Sequence, residues 1–166
     1  MALADNVLYF GGGGGAGHAN NTNMASGGNG GGFIVLWAPT IQFDLSSKLD
    51  VSGFPGNDVN GDGGGGGGAA GSVLLIADTL RGNPSIDLSG GKGGDVTNTP
   101  DRCFGPGGGG SGGRMISAVR ATSTFNPIFD FSNGGPGLRL GSDECGPNDE
   151  PAGSGGIGTS RTILYP

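Results

Sequence analysis

Charge is scarce in this chain of 166 residues. Asp, Glu, Lys and Arg fill 13% of positions, eight basic against fourteen acidic, for a net charge of −6. That balance argues against nucleic acid as a partner, since such binding rests on basic side chains neutralising phosphates. Aromatics are also few, at 7%. No apolar run approaches the ~20 residues that a membrane-spanning helix requires, so no membrane insertion is expected. Histidine occurs once, as His18 in a Gly/Asn-rich loop, and nothing places an activated serine or an acid beside it. A histidine-based triad would depend on that residue alone. No Gly-Lys-Ser/Thr follows any glycine run, and Gly91-Lys92-Gly93-Gly94 lacks the hydroxyl of a phosphate loop. No catalytic residue is assigned, and the chain does not read as an enzyme.

What is abundant is glycine, with 42 residues. Glycine costs roughly 1 kcal/mol against alanine inside a helix, which excludes a helical bundle. The glycines come in blocks and not at every third position, which excludes collagen. The blocks lie between β-branched and aliphatic segments, a pattern of order and not of a free linker.

Internal repeats organise the chain. Gly31–Ala38, Ala70–Ala77 and Gly112–Val119 are three copies of a small-residue start followed by an apolar run. Each precedes an apolar-Asp-apolar-Ser motif: Leu49–Ser52, Ile86–Ser89 and Phe129–Ser132. The apolar run reads as a strand covered on both faces. The second motif alternates, so Asp50, Asp87 and Asp130 belong on a wet face, where like charges are tolerated or countered by a cation. Pro39, Pro84 and Pro127 fall between the strands, with Asn83-Pro84 and Asn126-Pro127 as turn signals. Trp37, Phe33, Phe125, Phe129 and Phe131 read as core, with a sugar-stacking platform as the other reading.

The blocks 11–15, 63–68 and 107–110 recur once per unit and should stack on one side. Chains without Cβ atoms approach closely and exchange main-chain hydrogen bonds. The expected architecture is mainly β with almost no helix. It is a repeat solenoid of short stacked strands with a packed polyglycine layer resembling polyproline II. One domain, 1–166, holds units at about 11–53, 63–90 and 107–133, with partial end units at 1–10 and 153–166. Blocks that are merely loops are the other reading.

Cys103 and Cys145 flank the third strand pair in Gly/Pro-rich contexts. An even count in a loop-rich chain suggests one disulfide and an oxidising compartment. Asp58, Asn60 and Asp62, followed by Gly63, place oxygen ligands like the first half of a calcium loop. Ala69 stands where a closing glutamate would be, so other carboxylates would have to complete the site, and a solvated turn is the alternative. No other cofactor is expected.

The run from Gly71-Ser72-Val73-Leu74-Leu75-Ile76-Ala77 through Ile86-Asp87-Leu88-Ser89-Gly90-Gly91-Lys92 to Arg102-Cys103-Phe104-Gly105-Pro106-Gly107 resembles a known group. It is similar to the glycine-rich repeat regions of large secreted surface proteins of Bacteroidetes-type and myxobacterial cells. The likeness implies a cell-surface adhesin or an extracellular fibre component, and it brings no catalytic residues. A second likeness is to phage tail-tip adhesins and springtail antifreeze proteins, which are built on packed polyglycine helices.

The apolar ends, Val7, Leu8, Tyr9 and Phe10 at one side and Ile163, Leu164 and Tyr165 at the other, are candidate assembly surfaces. Solenoid ends without polar caps invite the next copy. The expected function is therefore an extracellular structural module that polymerises head-to-tail with itself or forms part of an adhesin. A ligand-binding adhesin tip, for a surface glycan, a receptor or ice, is the alternative.

Overall fold

A computed structural model of the chain describes residues 7–18, 20, 24–98, 103–120, 124–141 and 152–164. Among these residues there are twelve strands and no helix. The long strands come from the apolar runs: β1 (Phe33–Trp37), β5 (Ser72–Ala77), β9 (Arg114–Val119) and β12 (Thr159–Leu164). They form one parallel sheet in the order β1-β5-β9-β12. The apolar-Asp-apolar motifs supply β3 (Lys48–Asp50), β7 (Ser85–Asp87) and β10 (Ile128–Asp130), a second parallel sheet in the order β10-β7-β3. Its register stacks Asp50 on Asp87 and Asp87 on Asp130.

Two further parallel sheets are not visible in the apolar pattern. β2 (Thr40–Gln42) pairs with β6 (Thr79–Arg81), and β4 (Val59–Asn60), β8 (Val96–Asn98) and β11 (Arg139–Gly141) form a third short layer. The strands lie in four separate sheets, none of which closes or coils into one continuous solenoid sheet.

The core sits between the long-strand sheet and the short sheets opposite it. Val73, Leu75, Leu80, Ile86, Leu88 and Met115 are buried together. β-Branched and aliphatic side chains suit this position because they pack well on a pleated surface. A smaller cluster joins Ala25, Val59 and Val96 beneath Phe104. The outer faces differ from expectation. Only the two middle strands of the long sheet, β5 and β9, are largely covered on both faces; on β1 Trp37 is 82% exposed. Trp37 is thus not core: β1 is an edge strand, and its outward Val35 and Trp37 are exposed. Phe33 is half-buried against Phe10, with ring centroids 5.7 Å apart, while Phe125, Phe129 and Phe131 pack on the core partly covered.

The glycine-rich segments bond to one another through the main chain. The N–H groups of Gly11, Gly14 and Gly17 donate to the carbonyls of Gly31, Gly28 and Ala25 at 2.8–2.9 Å. Donors three residues apart are the spacing of an extended chain with three residues per turn. Segments 24–32, 63–71, 105–113 and 152–158 lead into the long strands and run parallel, through Gly28→Gly66, Gly67→Gly108 and Gly109→Gly153 bonds. Segments 51–57, 88–94 and 131–138 return between them, antiparallel, through Gly68→Phe54, Gly91→Gly68, Gly110→Gly91 and Gly134→Gly110 bonds. Segment 7–18 covers 24–32 and 63–71 from another side. A Cβ on Gly14 or Gly68 would collide with a neighbouring carbonyl, Gly66 or Asn29, so side-chain-free residues are required there.

Candidate functional site

The carboxylate row is countered at one end. Lys48 Nζ lies 2.8 Å from Asp50 and 3.4 Å from Asp87. Each Asp also accepts from the residue two positions on: Ser52, Ser89 and Ser132 donate their N–H groups, and Ser52 and Ser89 their hydroxyls as well. Such local bonds fix the turn that leads from the strand into the returning glycine segment. The Lys48 ammonium and then Ser52 hold the Asp50 carboxyl down at about 2. Asp130 is lowered too, through Ser132. No cation reaches Asp130 among the described residues.

A parallel arrangement ties the third short sheet together. Asp58 Oδ1 accepts the Asp95 N–H at 2.7 Å, and Asp95 Oδ1 accepts the Leu138 N–H at 2.7 Å. Lys92 donates to both Asp95 oxygens, the main reason the Asp95 carboxyl is lowered. Two of the three residues read as calcium ligands are engaged elsewhere. Asp58 is engaged with Asp95, Asn60 is an exposed residue of β4, and Asp62 is fully buried. No group of three or more His, Cys, Asp or Glu side chains is placed to hold a metal ion among the described residues.

Asp62 instead faces His18, with Nδ1 to Oδ1 at 3.3 Å, and the imidazole stacks on Phe104 at 5.9 Å. The other oxygen, Oδ2, is buried without a hydrogen-bond partner among the described residues. This contact joins segment 7–18 to the turn after β4. Sequence spacing gave no sign of it, because the partners come from different units.

Of the expected disulfide, Cys103 is exposed and Cys145 lies outside the described residues; no described cysteine is a free thiol. The expected assembly ends differ from one another. Val7–Phe10 form no strand; Tyr9 exchanges hydrogen bonds with the buried Ser72 hydroxyl at 2.9 and 3.1 Å. Ile163 and Leu164 belong to β12, and Tyr165 lies outside the described residues. The free edges of the long sheet are β1 and β12.

β12 is also the least covered of the long strands. Its core-facing positions, in register with Met115, Ser117 and Val119 of β9, are Ser160, Thr162 and Leu164, all exposed. Beneath them a cavity of about 190 Å³ is lined by Phe125, Pro127 and Phe129 together with Ser160, Arg161 and Thr162. Comparison with family models, curated proteins and solved structures finds no match.

Proposed function

We propose that the chain is an extracellular structural module, a repeat solenoid with a packed polyglycine layer, that joins copies of itself head-to-tail in a filament or forms part of a cell-surface adhesin. The single observation that carries the reading is the main-chain ladder between glycine segments, with donors every third residue. Such a ladder makes a stiff body from little side-chain chemistry. Hydrogen bonds of ~1 kcal/mol each cannot offset the ordering of glycine alone, so the apolar strands anchor it. The parallel sheet leaves unlike edges at β1 and β12. A contact between unlike edges is heterologous, and repeats without closing give a fibre. The Cys103–Cys145 disulfide and the surface location belong to the same proposal.

Two measurements test it. Amides of 63–68 and 107–110 are expected to exchange slowly with solvent deuterium, and concentrated protein is expected to form filaments in negative-stain micrographs. Fast exchange throughout both blocks, or particles that remain monomeric at millimolar concentration, would refute it. Trp37, 82% exposed on β1, favours the second reading, an adhesin tip that binds a glycan, a receptor or ice without catalysis. A glycan array and an ice-recrystallisation assay with a Trp37→Ala control separate the two.

A further inference from the structure

One groove on the face of the glycine slab is filled, and the groove beside it is not. Segment 7–18 lies between 24–32 and 63–71, held along its length by main-chain bonds. Gly11, Gly14 and Gly17 donate to Gly31, Gly28 and Ala25, while the carbonyls of Gly12 and Gly15 accept from Ala69 and Gly66. A Cβ on Gly11, Gly14 or Gly17 would strike the carbonyl of Ala69, Gly66 or Gly63. One on Gly12 or Gly15 would meet nothing, and position 16 is already alanine. The N–H groups of residues 12, 13, 15 and 16 donate no main-chain bond among the described residues. Such a groove therefore takes an extended strand with glycine at every third residue. The residues between are free to vary, proline included, because no N–H is asked of them.

The groove between 63–71 and 105–113 repeats the same rows one unit further on. Gly67 and Ala70 donate to Gly108 and Ser111 as Gly28 and Gly31 donate to Gly66 and Ala69, which fixes the equivalence. The carbonyls of Gly67 and Ala70 thus stand where those of Gly28 and Gly31 receive segment 7–18, and they accept no bond among the described residues. The N–H groups of Gly108 and Ser111 stand where Gly66 and Ala69 donate to that segment, and they donate none. Gly67 and Ala70 are buried, and buried backbone groups are nearly always paired with protein, water or a ligand. Gly108 and Ser111 are half-buried and Gly105 is exposed, so the groove is reached from solvent. It lies between two internal units, on the face of the slab and not at its edge.

We infer that this second groove binds a single extended strand of another polypeptide in which every third residue is glycine, the pattern of one collagen-type chain. The strand runs as segment 7–18 does, antiparallel to 63–71. Its glycine N–H groups donate to Gly67 and Ala70, and the carbonyls one residue further on accept from Gly108 and Ser111. Main-chain bonds supply the affinity, as in strand addition to a sheet edge. Specificity comes from the close approach, which rejects any Cβ at the third positions and tolerates side chains between them. A preformed polyproline II backbone suits the partner, because little conformational freedom is lost on docking. No charged group takes part, so the contact is insensitive to salt. The inference rests on the main-chain ladder that carries the filament reading, but it does not require copies of the chain to join.

The test uses the full chain and a fluorescent Gly-Pro-Pro repeat peptide too short to form a triple helix, followed by anisotropy. Saturable binding is expected, with newly slowed exchange of the Ser111 amide and the same affinity at low and high salt. Replacing the central glycines of the peptide by alanine should weaken binding at least tenfold. An all-proline peptide, which shares the backbone conformation, should not bind. Ser111→Trp, which fills the groove, should abolish binding while circular dichroism stays unchanged. No saturable binding at millimolar peptide, or equal binding of the alanine-substituted peptide, would overturn the proposal. So would a Ser111 amide that already exchanges slowly in the protein alone, because the groove would then be filled before any partner arrives. Slow exchange in 63–68 without peptide binding overturns this inference alone, whereas fast exchange throughout that block overturns the filament reading with it. Because the peptide controls leave the protein untouched, a folding defect in Ser111→Trp does not remove the test.

Discussion

One substitution, glycine to alanine, is expected to change sign with position. Gly68 donates its N–H to Phe54 at 2.8 Å and accepts from Gly91 at 2.9 Å, and a methyl group there would meet the carbonyls of Asn29 and Gly28. These neighbours are backbone, so they cannot swing aside; the segments must move apart. Loss of both bonds costs about 2–3 kcal/mol at ~1 kcal/mol each. Alanine also restricts the unfolded chain, which returns ~0.4–1 kcal/mol. Gly68→Ala should therefore lose about 1–3 kcal/mol, a fall in Tm of roughly 3–10 °C for a chain of this size. Gly135, in the returning segment 131–138, has open space where its Cβ would stand and an ordinary backbone conformation. There only the unfolded-state effect remains, so Gly135→Ala should raise Tm by roughly 1–4 °C. Calorimetry and urea unfolding of the two variants are the assay. Equal shifts of the same sign would mean that the glycine segments do not lie side by side, and the reasoning from close approach would be refuted.

Three further outcomes follow from the geometry. Ile86, fully buried in β7 between β3 and β10, should cost about 2–5 kcal/mol as Ile86→Ala in urea unfolding. Asp50 has a folded pKa lowered to about 2, so its contribution is complete above the ordinary carboxylate range and is lost as pH falls from 3.8 towards 2. The stability difference between the native chain and Lys48→Ala should accordingly be small, because the pair is exposed, and should vanish in thermal melts near pH 2. His18→Ala leaves the buried Asp62 carboxylate with neither oxygen bonded, a loss of about 1–3 kcal/mol. Adding Asp62→Asn to that variant should recover part of the loss, measured as a double-mutant cycle.

Much of the β architecture was legible in the residues. The continuous apolar runs with β-branched members and the alternating Leu-Asp-Val-Ser type motifs both signal strands, and they form β1, β5, β9 and β3, β7, β10 in register. Asp50, Asp87 and Asp130 form the expected row, and its cation is Lys48. Trp37 was misplaced because a local pattern tells which residues alternate but not whether a neighbour covers them. The sheet of β4, β8 and β11 was missed because strands of two or three residues carry no periodicity. The partners of the calcium-like triplet were not legible, because Asp58 and Asp62 meet Asp95 and His18 from other units.

The sequence alone determined that successive units would offer matching strands and matching side-chain-free stretches, because composition and repeat spacing decide which segments can approach closely. Which of them meet was decided only by the tertiary structure. The seating of 7–18, the pairing of Asp62 with His18 and the uncovered fourth strand depend on contacts between residues tens of positions apart, and no local pattern encodes how many strands each sheet receives.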